Sequence, residues 1–383
     1  MNRENEMVIH GYCDERFARV REEFEKNFSE RGDVGGSFAV TIEGEYVIDL
    51  WGGHRNAEKT LPWEEDTIVN VYSTSKTMTF ISTLMLADRG ELDLYAPVAD
   101  YWPEFAENGK AGITITNLLS HSAGLPAFSR QFSAEELYDW DLAVSDLANQ
   151  APLWEPGTQS GYHGVTQGFL LGEVVRRITG QSYGSWFREN VAEPLGADFH
   201  IGLLEQDLSR VAEILQDTSA DESAFANLDP ESMTAKVFGG GGSSGDVANS
   251  AAWRQAEIPA INGHGNARSV VRAQSALAND GLAFDTQLLS AEGAGKSREV
   301  LLESTDLVLM FPVKFAMGYA YGSDFIPISP NKNAIWWAGL GGSTCVIDQE
   351  NRTCFSYVMN QMKASMVGDE RSGSLSRTLY EAM

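Results

Sequence analysis

The sequence has few basic side chains and no long apolar segment. Lysine and arginine number 28 against 54 aspartate and glutamate residues, so the formal charge is −26. A surface of this sign repels polyanions, which disfavours nucleic acid and anionic membranes as partners. No apolar run approaches the roughly 18 residues of a membrane span, and the first seven residues lack the apolar centre of a signal peptide. These features predict a cytoplasmic protein.

Cysteine is also scarce. The three residues Cys13, Cys345 and Cys354 cannot all pair, and no C-x-x-C spacing indicates zinc. We expect Cys345 and Cys354 to be reduced thiols on neighbouring strands. No histidine, cysteine or carboxylate cluster has the spacing of metal ligands, so the sequence predicts neither a metal nor a cofactor.

Strand and helix signals divide the 383 residues into a sheet-forming part and a helical part. An amphipathic helix at Asp14–Ser29 precedes a hairpin of Ser37–Ile42 and Tyr46–Trp51. Further helices are predicted at Leu137–Ala148, Gly168–Ile178 and Asn266–Asn279, and strands at Phe315–Tyr321, Ile335–Trp337, Ser343–Asp348 and Thr353–Met359. The pattern predicts an α/β domain of residues 1–75 and 265–383, a mostly helical inserted domain of residues 76–264, and a flexible joint at Gly239–Gly245.

The strongest chemical signal is Ser73-x-x-Lys76, followed by the apolar run Met78–Ala87. On a helix, residues three apart share a face with Cβ atoms about 5–6 Å from each other. Burial disfavours the ammonium and lowers a lysine pKa from about 10.4 toward roughly 7–8. Such an amine can accept the proton of a hydroxyl, so Ser73 is a candidate nucleophile and Lys76 its base. The alternative is a helix-capping serine beside a lysine that reaches solvent.

Other motif matches have weaker contexts. Ser329–Lys332 also fits S-x-x-K, but its proline and asparagine predict a turn in which the two side chains do not share a helical face. Ser182 and Ser243 fit G-x-S-x-G, yet neither lies between a strand and a helix as a nucleophile elbow requires. Four histidines are candidates for a Ser-His-Asp triad, without the required context: His121, His163, His200 and His264.

Two glycine-rich segments supply further candidates. Tyr162 lies within Gly161–Gly164, where glycines leave the backbone free to present a side chain into a cleft. A phenol hydrogen-bonded to a cationic lysine has a lowered pKa and can shuttle a proton, whereas an isolated tyrosine is more often a packed ring. Trp336–Ser343 is a strand edge running into glycines. Its backbone N–H groups, with that of Ser73, can form an oxyanion hole, although such glycines are equally typical of a bulge.

Ser73-x-x-Lys76, Tyr162 and Trp337–Gly339, in this order, resemble the serine β-lactamase and penicillin-recognising superfamily, in particular the class C β-lactamases and the family VIII carboxylesterases. Three further segments look like recurring segments of that family, so the resemblance covers roughly residues 15–380. They are Leu118–Pro126, Trp154–Thr158 and Pro259–Gly265.

The resemblance implies a fold and a set of roles. The fold is the β-lactamase/transpeptidase-like α/β fold, an antiparallel sheet flanked by helices with an inserted, mostly helical domain. Implied catalytic residues are Ser73, Lys76 and Tyr162, with an oxyanion hole from Ser73 and Leu340 and substrate contacts from Trp337 and Gly339.

The chain also departs from the lactamase pattern. Where lactamases have Tyr-x-Asn this chain has Tyr162-His163-Gly164, and where they have Lys-Thr-Gly it has Trp337-Ala338-Gly339. The lysine that helps hold a substrate carboxylate is therefore missing, and the W-x-G variant is typical of the family's carboxylesterases. No glutamate stands out as a deacylating base, which leaves Tyr162 and Lys76 to activate water.

We therefore predict a serine carboxylesterase that hydrolyses small or medium carboxylic esters through an acyl-Ser73 intermediate. The expected partner is a small-molecule ester, with no nucleic acid and no membrane, and the oligomeric state stays open. Alternatives with the same residues are an acyltransferase, an amidase, a weak β-lactamase or a D-Ala carboxypeptidase. An alternative of another class is a non-catalytic scaffold on this fold.

Overall fold

Strands from both ends of the chain form one antiparallel sheet. The computed structural model describes residues 8–217, 229, 231–238 and 245–383. Within these residues the large sheet has nine strands in the order β1-β3-β2-β13-β12-β11-β10-β9-β8. In chain order the strands are β1 (Ile9–Cys13), β2 (Gly35–Ile42), β3 (Glu45–Gly53), β4 (Val69–Asn70), β5 (His264–Gly265), β6 (Leu282–Ala283), β7 (Thr286–Gln287), β8 (Leu302–Thr305), β9 (Pro312–Phe315), β10 (Ala320–Tyr321), β11 (Ile335–Ala338), β12 (Thr344–Asp348) and β13 (Thr353–Met359).

Helices cover both faces of this sheet. Every residue of its strand β13 is consequently buried. On one face Phe355 packs edge-on against Tyr380 of the Glu370–Ala382 helix. On the other face the N–H of Ala267, the first residue of the Ala267–Ala278 helix, donates to Ser37 Oγ of β2 at 3.0 Å. The sheet is therefore the middle layer of three.

Between β3 and β5 the regular elements of the described chain are helices, apart from the two-residue strand β4. The α-helices here are Lys76–Asp88, Ile115–Leu119, Ala134–Leu137, Trp140–Asn149, Thr166–Thr179, Tyr183–Phe187, Glu193–Leu195, Met233–Phe238, Gly245–Ala248 and Ala251–Gln255. Elsewhere they are Ala18–Ser29, Ala267–Ala278, Ala291–Lys296 and Glu370–Ala382. None of the described helices is long and apolar enough to cross a membrane.

The Lys76–Asp88 helix lies at the centre of the molecule. Each of its residues from Lys76 to Leu86 is buried, because it contacts the Thr166–Thr179 helix of the helical part as well as the Ala267–Ala278 helix on the sheet. An apolar helix of this kind requires burial all round. Whatever lies at its N-terminus is consequently held between the sheet and the helical segment.

The structure confirms much of the predicted pattern, including the fold class, the β2–β3 hairpin and the strand at Thr353–Met359. The strand predicted at Phe315–Tyr321 is wrong, since β9 ends at Phe315 and a turn with Gly318 at φ +93° separates it from β10. The helix predicted at Leu137–Ala148 is broken, because Asp139 caps a new helix by accepting from the N–H of Leu142 at 3.0 Å.

Two expectations about the domain organisation stay predictions. The joint expected at Gly239–Gly245 lies, up to residue 244, outside the described residues. The division into domains of residues 1–75 with 265–383 and of residues 76–264 stays a prediction. The strands of the large sheet do come from residues 9–53 and 302–359, on both sides of the mostly helical segment.

Candidate active site

Ser73 lies in a single 3₁₀ turn, Tyr72–Ser75, that runs directly into the Lys76–Asp88 helix. The turn places Lys76 Nζ 3.3 Å from Ser73 Oγ. Tyr72, just before the serine, has φ +45°, a conformation that costs a non-glycine residue on the order of 1–3 kcal/mol and that clusters at functional sites. The predicted pairing of the two side chains is therefore present, and Ser73 itself is only half-buried.

The amine of Lys76 is fully buried and faces carbonyl oxygens rather than carboxylates. Nζ donates to Gly164 O at 2.6 Å and to Ala260 O at 3.2 Å. Desolvation lowers the pKa of Lys76 well below its ordinary value, as expected from the sequence. A neutral amine has two N–H groups, which match the two carbonyls, and one lone pair, which then points to Ser73 Oγ.

Tyr162 completes the set, because its Oη donates to Ser73 Oγ at 2.6 Å. The ring is buried beside His121, 5.0 Å away between centroids, and Trp337, 5.7 Å away. The sequence-based expectation of a lowered pKa is wrong. Burial raises the pKa of Tyr162, and Lys76 Nζ lies over the ring, 4.7 Å from its centroid, instead of bonding to the hydroxyl. The phenol is therefore a proton donor.

The two histidines near this site are braces. His163 Nε2 accepts from the N–H of Leu125 at 3.1 Å, and Nδ1 donates to Gly161 O at 2.6 Å. Burial lowers the pKa of His163 to about 3, so the ring is neutral. His121 Nδ1 accepts from the N–H of His163 at 3.0 Å. The side chain that braces the Leu125 loop is thus His163.

The segment at the C-terminal end of β11 packs closely against the Ser73 turn and is hydrogen-bonded to the residue before that turn. Ser343 Oγ donates to Val71 O at 2.9 Å, and the N–H of Gly339 donates to Ser343 O at 2.8 Å. The approach is so close that a Cβ at Gly339 would lie 2.2 Å from Val71 O and 3.2 Å from Ser73 N. Within the described part of the chain, the N–H groups of Ser73 and Leu340 donate to no protein acceptor. They are the pair expected to hold an oxyanion.

A buried arginine that the sequence analysis missed supports this edge. Arg371 Nη2 donates to Gly341 O at 2.6 Å, and Nη1 donates to Asp33 Oδ1 at 2.6 Å. Asp33 and Arg371 are 4% and 2% exposed, so this ion pair fixes the turn after Leu340 from inside the protein. Since Asp33 and Arg371 are 338 residues apart, no local pattern signals the contact.

Two apolar cavities meet at Ser73. The larger, about 800 Å³, is lined by Phe128, Phe132, Val165, Val237 and Phe238, among others. The smaller, about 490 Å³, is lined by Tyr162, Leu309, Phe311, Trp336, Trp337 and Val367, among others. Ser73, Phe238 and Leu340 border both. Of the predicted substrate contacts, Trp337 lines the smaller cavity, while Gly339 contributes backbone beside Ser73.

Two of the competing motifs, at Ser182 and at Ser329–Lys332, do not reach this site. Ser182 Oγ donates to Glu257 Oε1 at 2.7 Å and caps the Tyr183–Phe187 helix, and Lys332 pairs with Asp324 at 2.5 Å instead of bonding Ser329. Ser243 lies outside the described residues.

Two of the cysteines lie next to each other in the large sheet. Cys345 and Cys354 are free thiols on the neighbouring strands β12 and β13, as predicted. In the described ranges no group of histidine, cysteine and carboxylate side chains is arranged to hold a metal ion.

Comparison with known proteins gives one consistent family. The family model described as Beta-lactamase matches residues 23–375. The chain is 34% identical to the esterase/beta-lactamase LipL of Mycobacterium tuberculosis over 376 residues, covering 95% of this chain and 86% of the relative. A solved family VIII carboxylesterase aligns with a TM-score of 0.92 and 38% identity, covering 98% of this chain and all of that one.

A second solved structure is similar to this chain. A penicillin-binding protein homologue from Caulobacter crescentus aligns with a TM-score of 0.92 and 36% identity, over 98% of this chain and 100% of that one. Because the family model spans most of the sequence and the relatives cover nearly all of it, the chain belongs to the beta-lactamase family and is a hydrolase of that family.

Proposed function

We propose that the protein is a serine carboxylesterase that hydrolyses small or medium carboxylic esters through an acyl-Ser73 intermediate. The observation that carries the proposal is the position of Ser73 Oγ, 3.3 Å from the buried amine of Lys76 and 2.6 Å from the phenol of Tyr162. The relatives named as esterases support the same class of reaction.

In acylation, Ser73 Oγ attacks the ester carbonyl carbon and its proton passes to the lone pair of Lys76. The amine of Lys76 suits this role, because burial lowers its pKa well below the ordinary value and so favours the neutral form. The negative charge that develops on the carbonyl oxygen is stabilised by the backbone N–H groups of Ser73 and Leu340. Preformed donors of this kind are each worth on the order of 10²–10³ in rate.

The tetrahedral intermediate then collapses with loss of the alcohol. The C–O bond to the alcohol breaks, and Tyr162 Oη gives its proton to the departing oxygen. The tyrosinate recovers a proton from the ammonium of Lys76, which restores both groups. Water then attacks the acyl-Ser73 carbonyl carbon while its proton passes to the amine of Lys76. The C–O bond to Ser73 Oγ breaks, Ser73 takes the proton of Tyr162 Oη, the tyrosinate recovers a proton from Lys76, and the carboxylic acid is released.

The cavities favour substrates with two apolar halves. Tyr162 lines the smaller cavity and not the larger one, so the alcohol that it protonates belongs in the smaller cavity and the acyl group in the larger. The cations at the larger cavity are engaged, since Arg130 forms two bonds with Glu136 at 3.0 and 2.6 Å and Lys236 pairs with Glu231 at 3.4 Å. A neutral ester meets these walls without an unpaired charge.

A fluorophosphonate probe with intact-mass detection tests the assignment. We expect one adduct on the folded protein, mapped to Ser73, and loss of both the adduct and p-nitrophenyl butyrate hydrolysis in Ser73→Ala. Ser182→Ala is the matched control and keeps both, because Ser182 caps a helix and bonds Glu257. An unlabelled Ser73 in folded protein would instead favour a scaffold without catalysis.

A further inference from the structure

Asp306 is a buried carboxylate that no motif of the sequence indicates. It follows β8, is 0% exposed, and its Oδ1 accepts three backbone N–H groups, those of Tyr162 at 3.0 Å and of Val308 and Leu309 at 2.9 Å. Its second oxygen, Oδ2, has no hydrogen-bond partner among the described residues. A buried polar atom without a partner is destabilising and calls for a reason.

Asp306 connects Tyr162, the proposed proton donor, with the wall of the smaller cavity. Leu309 lines the smaller cavity, in which we place the alcohol, and Tyr162 lines it too. Beside this junction, the N–H of Leu307 donates to Ser160 O at 2.9 Å, and the hydroxyls of Ser160 and Ser304 lie 2.9 Å apart. The segment that carries Tyr162 and the turn after β8 are therefore tied together at adjacent positions.

The charge of Asp306 also acts on the phenol. Burial is the largest cause of the raised pKa of Tyr162, and the negative charge of Asp306 raises this pKa further, because a phenolate beside a carboxylate is disfavoured. Among the described residues, the amine of Lys76 lies over the ring of Tyr162, the ring of His121 packs against it, and Asp306 holds its backbone N–H. His163 follows Tyr162 in the chain and bonds Leu125 and Gly161 instead. Burial lowers the pKa of all three basic groups, whereas the charge of Asp306 raises that of Tyr162.

We propose that Asp306 is a positioning residue, which fixes Tyr162 against the wall of the smaller cavity so that the phenol and the departing alcohol oxygen meet in one geometry. This inference rests on the proposed esterase function. It predicts that losing Asp306 impairs the protonation of the leaving group more than the attack of Ser73. Alkyl esters need that proton because an alkoxide is a poor leaving group, whereas p-nitrophenolate departs without it.

The experiment compares ethyl butyrate with p-nitrophenyl butyrate, which share an acyl group. In Asp306→Ala we expect kcat/KM for the ethyl ester to fall roughly 10²-fold, the scale of a misplaced catalytic group, and at least about tenfold more than for the p-nitrophenyl ester. Tyr162→Phe gives the same imbalance. Ser304→Ala, which removes the neighbouring link to Ser160, is the matched control and affects both esters equally. Equal losses in Asp306→Ala would overturn the proposal.

Asp306→Asn separates position from charge and keeps the test valid if the alanine variant does not fold. The amide oxygen still accepts the three N–H groups, so the ratio between the two esters stays near wild type at neutral pH. An ethyl-to-p-nitrophenyl ratio of kcat/KM at least about tenfold below wild type in this folded variant would mean that the charge of Asp306 and not its hydrogen bonds matters, and it overturns the inference. A wild-type protein that hydrolyses neither ester and takes no fluorophosphonate overturns the proposed function instead.

Discussion

Lys76 illustrates how a single residue acquires its chemistry from its surroundings. Its Nζ is enclosed with two carbonyl oxygens, and no carboxylate pairs with it among the described residues. Carbonyl dipoles do not compensate a full positive charge as a carboxylate would, so desolvation dominates and lowers the pKa of Lys76. The result is an amine whose neutral form is favoured and which lies beside the hydroxyl of Ser73.

The pH profile of ester hydrolysis tests this residue. Activity should fall as the pH drops through the lowered pKa of Lys76, because protonation consumes the lone pair that accepts the Ser73 proton. The acidic limb of kcat/KM therefore lies well below the value of about 10.4 for a solvated lysine. Rates with p-nitrophenyl butyrate from about pH 5 to 10 measure it. A limb centred near 10 in a folded protein contradicts the assignment. Lys76→Arg should be inactive throughout, because a guanidinium keeps its proton.

At the scale of elements, the site depends on the contact between the edge of β11 and the Ser73 turn. Two elements from different parts of the chain approach at Gly339, and Arg371 of the Glu370–Ala382 helix holds the next turn through Gly341 O. Glycine is required at 339 because a side chain has no room there. The positions of the two oxyanion N–H donors therefore depend on how β11, the Ser73 turn and the Glu370–Ala382 helix pack together.

Gly339→Ala tests this contact. The added Cβ would lie 2.2 Å from Val71 O, so either β11 or the Ser73 turn must move and the two N–H donors separate. We expect kcat to fall on the order of 10²–10³-fold, the cost of one lost oxyanion donor. Gly295→Ala is the control, since a Cβ at this helical glycine meets nothing within 4 Å and activity should be unchanged. A Gly339→Ala variant with wild-type kcat excludes the predicted oxyanion hole.

At the scale of the whole molecule, charge and cavity shape favour neutral substrates. The formal charge is −26, and the resemblance to the lactamases implies that Trp337 stands where they carry a lysine. Its indole is 5% exposed and presents an apolar surface to the smaller cavity. A charge-assisted bond to a substrate carboxylate is worth roughly 1.5–3 kcal/mol, and the cations that the described residues place at the larger cavity, Arg130 and Lys236, are already paired with glutamates.

We therefore expect kcat/KM for p-nitrophenyl acetate or butyrate to exceed that for nitrocefin by at least about a hundredfold, with the missing carboxylate contact as the main cause. Both reactions are chromogenic and can be measured on one preparation. Similar values for the two substrates would defeat the prediction. They would mean that another cation, such as Arg130 released from Glu136, binds the carboxylate.

The sequence by itself determined the features that depend on near neighbours. These include the S-x-x-K pair, since residues three apart meet on any helical turn, and the hairpin and strands with a clear alternating or apolar pattern. The strand predicted through Gly318 failed because an apolar run does not reveal a turn that needs positive φ.

Only the tertiary structure decided which distant groups meet. Lys76 finds its carbonyl partners 88 and 184 residues away, Tyr162 is anchored by a carboxylate 144 residues away, and Arg371 reaches Gly341 from the last helix. Burial also reversed the expected direction of the Tyr162 pKa. Periodicity along the chain carries no information about such contacts, because they arise from the packing of whole elements and not from the residues beside them.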